Sequence, residues 1–295
     1  MTVLEGIQKS AEFLAKKGVD SPRLQAELLL AHVLKLPRMK LYLSFDRALT
    51  DAEMDIFREL VRRRSQREPL QHITGSTSFC GLEISVNRHV LVPRPETEIL
   101  AEFGWKWLGE LQNPKSEIRN PNPQNASTLD FGAGSGCIAV ALAAKCPQVK
   151  IVALEISAEA LDTAKQNALK NGASERIEFL QGGGFEILAR GTRFDLIISN
   201  PPYIPTAEIE TLEPEVRDYD PRGALDGGAD GLDFYRRFAA EAGPFLKSGG
   251  KLMLEFGDGQ AEAIRKIFEA QNWIVEAIHA DYTQRERIFI AISRN

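Results

Sequence analysis

One short segment of this sequence combines residue types that could hold and orient a planar nitrogen group. Asn200-Pro201-Pro202-Tyr203 follows the apolar run FDLIIS directly. Two successive prolines fix φ and remove two backbone donors, so the carbonyls of this segment stay out of a strand ladder. The Asn200 side chain adds a carbonyl acceptor, and Tyr203 adds a flat aromatic face. We expect two oxygen acceptors and a stacking surface in one rigid frame; an ordinary proline turn with an exposed tyrosine is the alternative.

A glycine-rich loop upstream could hold a nucleoside ligand. Gly132, Gly134 and Gly136 lie between an apolar run and the helical segment CIAVAL. Glycines at this spacing tighten the turn and let backbone N–H groups approach a ligand at the beginning of a helix. The next predicted strand ends at Glu155, 19 residues after Gly136, where an acid can meet ribose hydroxyls. An exposed acid at a strand end is the alternative for Glu155, and the strand–loop–helix context favours the ligand interpretation.

Alternating elements are predicted to position both segments. Strands are predicted over 128–131, 150–154, 177–180, 194–199 and 251–255, helices over 137–146, 158–170, 232–242 and 260–270, and two final strands over 273–278 and 287–293. This alternation predicts an α/β fold with a doubly wound, mostly parallel sheet and helices on both faces. The last two strands have no helix between them, so the last pair should be antiparallel. Ligands bind at the carboxyl ends of the strands in such sheets, where both segments fall.

The residues before 128 divide into a helical domain and a linker. Residues 1–75 read as short helices. One ends near Gly18, one is opened by Ser21 as N-cap with Pro22 behind it, and one is opened by the capping-box pair Thr50 and Glu53. Residues 76–92 suggest a hairpin or extended linker, and a helix follows from Pro95 to about 111. We therefore predict domains over 1–75 and 93–295, joined by 76–92, with a solvated Pro/Asn/Ser-rich insert at 112–127.

Composition excludes several classes of function. The 295 residues carry a formal net charge of −5. Residues 1–75 have 13 Lys and Arg against 10 Asp and Glu, and the remainder has 23 against 31. An acidic body is a poor match for nucleic acid, and the basic run of Arg62, Arg63, Arg64 and Arg67 is interpreted as a solvated helix end.

The chain also offers little for a membrane, a metal or a disulfide. The longest apolar run, 28–34, is too short to span a membrane, and the N-terminal residues lack the features of a signal peptide. Cys80, Cys137 and Cys146 form no CxxC pair, and His72 and His89 have no second ligand at metal spacing. We expect no metal and no membrane, and a cytoplasmic protein.

The glycine loop resembles that of class I S-adenosylmethionine methyltransferases, because it reads G-x-G-x-G with Asp130 just before it. The resemblance implies S-adenosylmethionine as donor and S-adenosylhomocysteine as product. In this setting the chemistry of the Asn200 segment is clear. An amide or aromatic amine is a poor nucleophile, and the Asn200 side chain with the Pro201 carbonyl can grip both of its hydrogens and aim the nitrogen at a methyl group. Proton loss can follow the transfer, so no general base is required.

The whole chain resembles a narrower family. Families with this tetrad modify adenine, guanine or a glutamine amide, and the tetrad cannot separate them. The segments 69–100, LDFGAGSGCIAVALA, LIISNPPYIP, 225–237 and LEFG closely resemble the protein-glutamine N5-methyltransferases of the HemK/PrmC type, which modify peptide chain release factors. The resemblance implies a seven-stranded sheet, a helical domain that docks a class 1 release factor, and the glutamine of its GGQ loop as acceptor.

Residue roles carried over from the family follow the matched motifs. The implied catalytic residues are Asn200, Pro201 and Tyr203, the substrate positions are Asn200, Pro201, Pro202 and Tyr203, and the cofactor positions are Gly132, Ala133, Gly134, Ser135, Gly136, Glu155, Gly184 and Asn200. Two departures stand out. Gln181-Gly182-Gly183-Gly184-Phe185 replaces the acid and aromatic that the family commonly has near adenine, so backbone groups of Gly183 or Gly184 are expected there. The ribose acid is Glu155, where Asp is more usual.

Alternatives remain open from the sequence. Arg94, Glu96 and Glu98 could line the mouth of the cofactor site or brace the hairpin. A nucleic-acid amine methyltransferase would have to use the basic run, and no direct nucleic-acid partner is expected. A third possibility is a module that binds the cofactor or the translation machinery without transferring a methyl group.

Overall fold

Capping residues and turns set the ends of most elements in the computed structural model, which describes residues 1–113 and 126–294. In chain order the helices are α1 Val3–Lys16, α2 Pro22–Leu34, α3 Arg38–Leu41, α4 Asp51–Ser65, α5 Leu70–Thr74, α6 Pro95–Gln112, α7 Cys137–Lys145, α8 Ala158–Lys170, α9 Pro214–Arg217, α10 Asp233–Glu241 and α11 Ala261–Ala270. The strands are β1 Ser76–Phe79, β2 Leu82–Ser85, β3 Ser127–Phe131, β4 Lys150–Glu155, β5 Ile177–Gln181, β6 Phe194–Ser199, β7 Leu246–Glu255, β8 Trp273–Ala280 and β9 Glu286–Ser293. Most of the predicted insert, 114–125, lies outside the described residues.

Capping boxes begin two helices of the first unit. Thr2 and Thr50 each accept a bond from the backbone N–H three residues on, and the glutamate there, Glu5 or Glu53, bonds back to the cap. Such a cap contributes about 1 kcal/mol. Ser21 stands at the predicted cap of α2, but it has φ 46° and makes no side-chain cap bond. The predicted cap interaction is therefore wrong there, and the proline at the first helical position marks the start of α2.

The helical unit has its own apolar core and includes a distant segment of chain. It comprises Met1–Ser76 together with Leu212–Tyr219. Its buried residues form one cluster that includes Ile7, Leu29 and Phe57. The segment 212–219 contains α9 and lies inside the range assigned from sequence to the second domain.

A two-residue turn makes residues 76–85 a β-hairpin. Cys80 and Gly81 have φ of 52° and 79°, the left-handed pair that a type I′ turn requires. β1 and β2 pair as a two-stranded sheet. Asn167 in α8 accepts a bond from Ser85 N at 2.7 Å. Helix α8 thus holds the hairpin through the backbone at the end of β2.

The second unit is built on a seven-stranded sheet within the described residues, in the order β5-β4-β3-β6-β7-β9-β8. The first five strands of this order are parallel, and β9 is antiparallel to both β7 and β8. Leu196 and Ile198 of β6 join one apolar cluster, whereas Phe194 and Ile197 join another. Both faces of the sheet are therefore covered, which confirms the predicted doubly wound fold with its antiparallel last strand. The strand order reverses between β3 and β6, the place where such sheets bind ligands.

The start of β7 differs from the prediction of 251–255. The strand begins at Leu246, with a register shift between Phe194 and Leu196 of its partner β6. Ser248-Gly249-Gly250 has the residue types of a turn. Strand β7 nevertheless pairs with β6 both before and after this segment, as in a bulged strand. No helix in the described part of the chain is both long enough and apolar enough to cross a membrane.

Candidate functional site

A cavity of about 430 Å³ lies at the carboxyl ends of the central strands of the second unit. This volume suits a small-molecule ligand. Seven of the residues predicted from sequence line it: Gly132, Ala133, Gly134, Ser135, Glu155, Asn200 and Pro202. The two segments singled out by their chemistry are therefore brought to one cavity.

The glycine loop turns sharply over the end of β4. Gly132, Gly134 and Gly136 have φ of 74°, 56° and 75°, values that glycine adopts without strain. The N–H groups of Gly132 and Ala133 both donate to the Leu154 carbonyl, at 2.8 and 2.9 Å. A Cβ at Gly136 would lie 2.9 Å from Ala164 Cβ. This third glycine thus permits close approach of α7 and α8, and the first two shape the cavity wall.

Glu155 ties the loop to its own strand end. Its Oε2 accepts a bond from Gly134 N at 2.8 Å, and its Oε1 accepts one from Ser157 N at 2.9 Å. The residue is only 9% exposed. Its carboxylate is thus held at the cavity wall by two backbone donors, which favours a fixed acceptor over the solvated strand-end acid considered from the sequence.

Asp130 is a buried acid at the base of the loop. Its Oδ2 accepts a bond from Ala139 N, at the beginning of α7, at 3.0 Å. Its Oδ1 is buried with no hydrogen-bond partner among the described residues. Burial, with a smaller contribution from the nearby charge of Glu155, raises the pKa of Asp130 to about 7. An acid with a spare acceptor therefore stands directly before the glycine loop.

Asn200 is held from one side by a hydrogen-bonded chain. Its Nδ2 donates to Thr97 Oγ1 at 3.0 Å, and the Thr97 hydroxyl donates to Glu255 Oε2 at 2.7 Å. Thr97 and Glu255 are 2% and 1% exposed. Burial raises the pKa of Glu255 to about 7, although the bond from Thr97 acts in the opposite direction. With its nitrogen engaged, the Asn200 amide has its oxygen left to meet a ligand.

Sequence reasoning gave Thr97 and Glu255 no role. The available signals were weak: Thr97 stands in the segment PRPETE, and Glu255 in LEFG at the end of a predicted strand. Only the sheet order reveals their meeting with Asn200, because β6 and β7 are neighbours and end at the same edge.

The rest of the tetrad is fixed by packing. Pro201 is buried, and Pro202 lines the cavity. The Tyr203 carbonyl accepts a bond from Gln260 Nε2 at 2.9 Å, and its ring packs against the apolar cluster that contains Tyr235. Burial raises the pKa of Tyr203 to about 12. The phenol therefore stays neutral near pH 7.

Residues 182–184, where the sequence departs from the family pattern, lie next to Arg237, a residue that sequence reasoning missed. Gly182 and Gly183 line the cavity, as do Arg237 from α10 and Ile156. Arg237 donates to the Gly183 carbonyl at 2.5 Å. A Cβ at Gly184 would collide with the Arg237 guanidinium. Glycine at this point makes room for an arginine from another element.

Arg94, just before α6, and Glu98, in its first turn, have different roles. Arg94 lines the cavity and forms an ion pair of 2.6 Å with Asp220. Burial raises the pKa of Asp220 to about 6, against the lowering effect of Arg94. Glu98 instead accepts a bond from Cys80 N at 2.7 Å and so braces the hairpin turn.

The basic run of the helical unit is paired with acids. Arg62 pairs with Glu59 and Arg63 with Glu68, while Arg64 and Arg67 both pair with Glu215. Because their charges are neutralised within the unit, these arginines form no free basic surface for phosphates.

No group that could hold a metal ion occurs among residues 1–113 and 126–294. Cys80, Cys137 and Cys146 are free thiols. Burial raises the pKa of Cys80 and Cys137 to about 12, so both stay protonated near pH 7.

The sheet order, with a glycine loop and an acid at the switch point, defines a class I methyltransferase. In agreement, the family model for the methyltransferase small domain matches residues 117–212, and that for the PrmC N-terminal domain matches residues 5–75. The N-terminal domain of human METTL16, solved in complex with SAH, has the same fold at a TM-score of 0.50, with 16% identity over 73% of this chain and 77% of that one.

Closer relatives identify the family. The release factor glutamine methyltransferase of Geobacter sulfurreducens is 46% identical over 90% of this chain and 88% of its own length. That of Chlorobaculum tepidum is 41% identical over 97% of this chain and 95% of its own length. The chain belongs to the release factor glutamine methyltransferase family.

Proposed function

We propose that this protein transfers a methyl group from S-adenosylmethionine to the side-chain amide nitrogen of the glutamine in the GGQ motif of class 1 peptide chain release factors. The donor is converted to S-adenosylhomocysteine. The reaction takes place in the cytoplasm, and methylation of the release factor aids translation termination. One observation carries the proposal: Asn200 borders the cavity with its nitrogen bound to Thr97, so that its oxygen is available to an N–H donor.

The residues around the cavity suit the cofactor. Gly132, Ala133, Gly134 and Ser135 offer a backbone cradle for its methionine part, and Glu155 presents fixed carboxylate oxygens suited to ribose hydroxyls. Ile156, with 70% of its surface exposed, and the backbone of Gly183 offer an apolar and a polar contact for adenine. When bound, the cofactor supplies an electrophilic methyl group on sulfur. The complex of human METTL16 with SAH is consistent with this assignment.

The tetrad would orient the acceptor. A glutamine amide has two N–H hydrogens, and the Asn200 side chain and the Pro201 carbonyl provide two acceptors for them. Fixing the nitrogen in line with the methyl group supplies part of the rate enhancement through positioning. The nitrogen becomes far more acidic on alkylation, so its proton can leave after the transfer and no general base is assigned.

The helical unit is proposed to dock the release factor. Its surface carries several large exposed apolar side chains, of which Leu43 is 85%, Met39 is 65% and Ile56 is 54% exposed. Large apolar side chains left exposed on one unit can contribute to a protein-binding surface. For Leu43→Glu we expect a higher KM for full-length release factor and an unchanged kcat/KM for a short GGQ peptide, which lacks the rest of the factor. Equal losses with both substrates would contradict the docking role.

Radiolabelled methyl transfer tests the proposal as a whole. The acceptors are purified release factor, the same factor with its GGQ glutamine replaced, ribosomal RNA and DNA. We expect label on the intact factor alone. Label on RNA or DNA would favour a nucleic-acid amine methyltransferase, and cofactor binding without label on any acceptor would favour a non-catalytic module.

A further inference from the structure

We infer that Thr97 and Glu255 are positioning residues that determine which way the Asn200 amide faces, so that its oxygen meets the acceptor nitrogen. The inference deepens the proposed function and rests on it.

The three residues meet because of the sheet register. β6 and β7 are adjacent and parallel, with Ser199 opposite Leu254. Asn200 and Glu255 therefore come next, side by side at the edge where the cavity lies. Thr97, in the first turn of α6, stands between their side chains, 3.0 Å from Asn200 Nδ2 and 2.7 Å from Glu255 Oε2.

The number of available protons fixes the direction of both bonds. A threonine hydroxyl has one hydrogen, and an ionised carboxylate can only accept. When Glu255 is ionised, the Thr97 hydrogen is thus committed to it, and the Thr97 oxygen can only accept from Asn200. Only the NH₂ branch of the asparagine can supply that hydrogen. The Asn200 oxygen is consequently directed to the other side, as a grip on the N–H groups of a glutamine amide requires.

Without this constraint the amide could turn over. The two branches of an asparagine amide have nearly the same shape. If Thr97 were free to donate, Asn200 could turn its oxygen toward Thr97 and present its own NH₂ to the substrate NH₂. Two donors would then face each other, and the acceptor nitrogen would lose one of its two partners.

The orientation of the Asn200 amide therefore depends on the charge of Glu255. Protonated Glu255 can donate to Thr97, and this releases the threonine hydrogen toward Asn200. The charged and titratable groups around Glu255 are Glu96 of α6, Arg94 before it, Arg287 of β9, Tyr203 of the tetrad, and Tyr235 of α10, whose hydroxyl bonds the Glu255 carbonyl. Glu96 raises the pKa of Glu255, whereas Arg287 and Arg94 lower it, and burial raises it most. The productive orientation is lost as the pH falls through this pKa.

Substitution of Thr97 tests the inference by kinetics. Thr97→Val keeps the shape of the side chain and removes the hydroxyl, and Thr97→Ser keeps the hydroxyl. We expect kcat for release factor to fall by about 10- to 100-fold in Thr97→Val, by analogy with the loss of a hydrogen-bond partner that orients a metal ligand. Binding of S-adenosylhomocysteine should stay within about twofold, and Thr97→Ser should retain most of the activity. Thr163→Val is the matched control, because Thr163 also accepts a bond of 3.0 Å from an asparagine amide, that of Asn87. If the kcat of Thr97→Val equalled that of Thr163→Val, the inference would be overturned.

Glu255→Gln adds a pH-dependent readout. In the wild type, kcat should fall as the pH falls through the pKa of Glu255. In Glu255→Gln this acid limb of the pH profile should be absent, and the maximal kcat should be lower than in the wild type. An acid limb unchanged in the variant would overturn the inference, even if Thr97→Val failed to fold.

A third readout requires no turnover. The side-chain NH₂ signal of Asn200 in ¹⁵N NMR, identified by its absence in Asn200→Ala, should titrate with pH in the wild type and stay constant in Glu255→Gln. An Asn200 signal with the same pH dependence in the wild type and in Glu255→Gln would overturn the inference, whatever the enzyme methylates. A titrating signal in a protein that labels no release factor would defeat the proposed function and leave the positioning role supported.

Discussion

Arg64 and Glu215 are 151 residues apart in the chain, yet Arg64 Nη2 and Glu215 Oε1 lie 2.7 Å apart within the helical unit. Arg67 Nε reaches the same oxygen at 2.6 Å, and Tyr219 donates to the Gln66 carbonyl at 2.9 Å. The helical unit is therefore not encoded by its first 76 residues alone. A segment that follows the NPPY tetrad in the chain completes it.

Loss of this ion pair should destabilise the helical unit. The Arg64 side chain is only 5% exposed, so Glu215→Ala leaves a buried guanidinium without its carboxylate. We expect a loss of about 3 kcal/mol in the free energy of unfolding, measured with urea. The exposed pair of Arg62 and Glu59 is the comparison, and Glu59→Ala should cost less than about 1 kcal/mol. Equal stability of the two variants would show that the Glu215 contacts contribute no more than an exposed ion pair.

Asn200→Ala should impair turnover more than cofactor binding. The substitution removes one of the two proposed acceptors for the glutamine amide, and loss of one preorganised polar partner lowers kcat by roughly 10²–10³-fold in other enzymes. Methyl transfer to release factor measures the rate, and S-adenosylhomocysteine binding measures the integrity of the cavity. Asn171→Ala, an amide in the turn after α8, is the control. An unchanged rate in Asn200→Ala would disprove the assigned role.

Glu155→Ala should have the opposite profile. Its carboxylate accepts from Gly134 N and Ser157 N, so the substitution removes both the proposed ribose acceptor and a tie on the glycine loop. We expect cofactor affinity to fall by about 10- to 100-fold, about 1.4 kcal/mol for each factor of ten, with a smaller change in kcat at saturating cofactor. Titration calorimetry with S-adenosylhomocysteine measures this, beside Glu159→Ala, an exposed acid four residues on. Affinity as high as in that control would refute the role of Glu155.

Local patterns predicted most of the second unit. The alternation of strands and helices fixes a parallel sheet, and the glycine loop with Glu155 falls at the switch point because β3 and β4 are neighbours with local connections. Helix α8 and strand β6 have the predicted bounds. Helix α8 has an apolar period and a serine cap, and β6 is a fully buried run that ends at Asn200 and the two prolines.

What sequence reasoning missed depends on contacts between distant residues. Thr97 and Glu255 are 158 positions apart and meet only through the order of the strands. Arg237 reaches the cavity from α10, and the room for it is left by Gly184, whose missing side chain gives no signal of its own. Ser21 has the residue type of a helix cap, but its left-handed backbone prevents the usual bond. In each case the outcome depends on tertiary contacts or on a backbone conformation that no local pattern records.

The raised pKa of Glu255 predicts how stability depends on pH. The folded protein keeps the Glu255 proton until about pH 7, whereas the ordinary pKa of glutamate is 4.5. Between these values the folded state binds more protons than the unfolded state, so this contribution to stability is full below about pH 4.5 and is lost as the pH rises through 7. The loss from this residue is on the order of 3 kcal/mol.

Urea unfolding of wild type and Glu255→Gln at pH 5 and pH 8 measures this dependence. A glutamine cannot ionise, so the variant should lose less stability over this interval than the wild type does. Glu262→Gln, at an exposed position in the first turn of α11, should behave as the wild type. Asp130, with its pKa raised to about 7, contributes in the same direction in all three proteins and cancels from the comparison. A difference between wild type and Glu255→Gln that is the same at both pH values would mean that Glu255 does not titrate in this range, and the acid limb expected for kcat would then need another source.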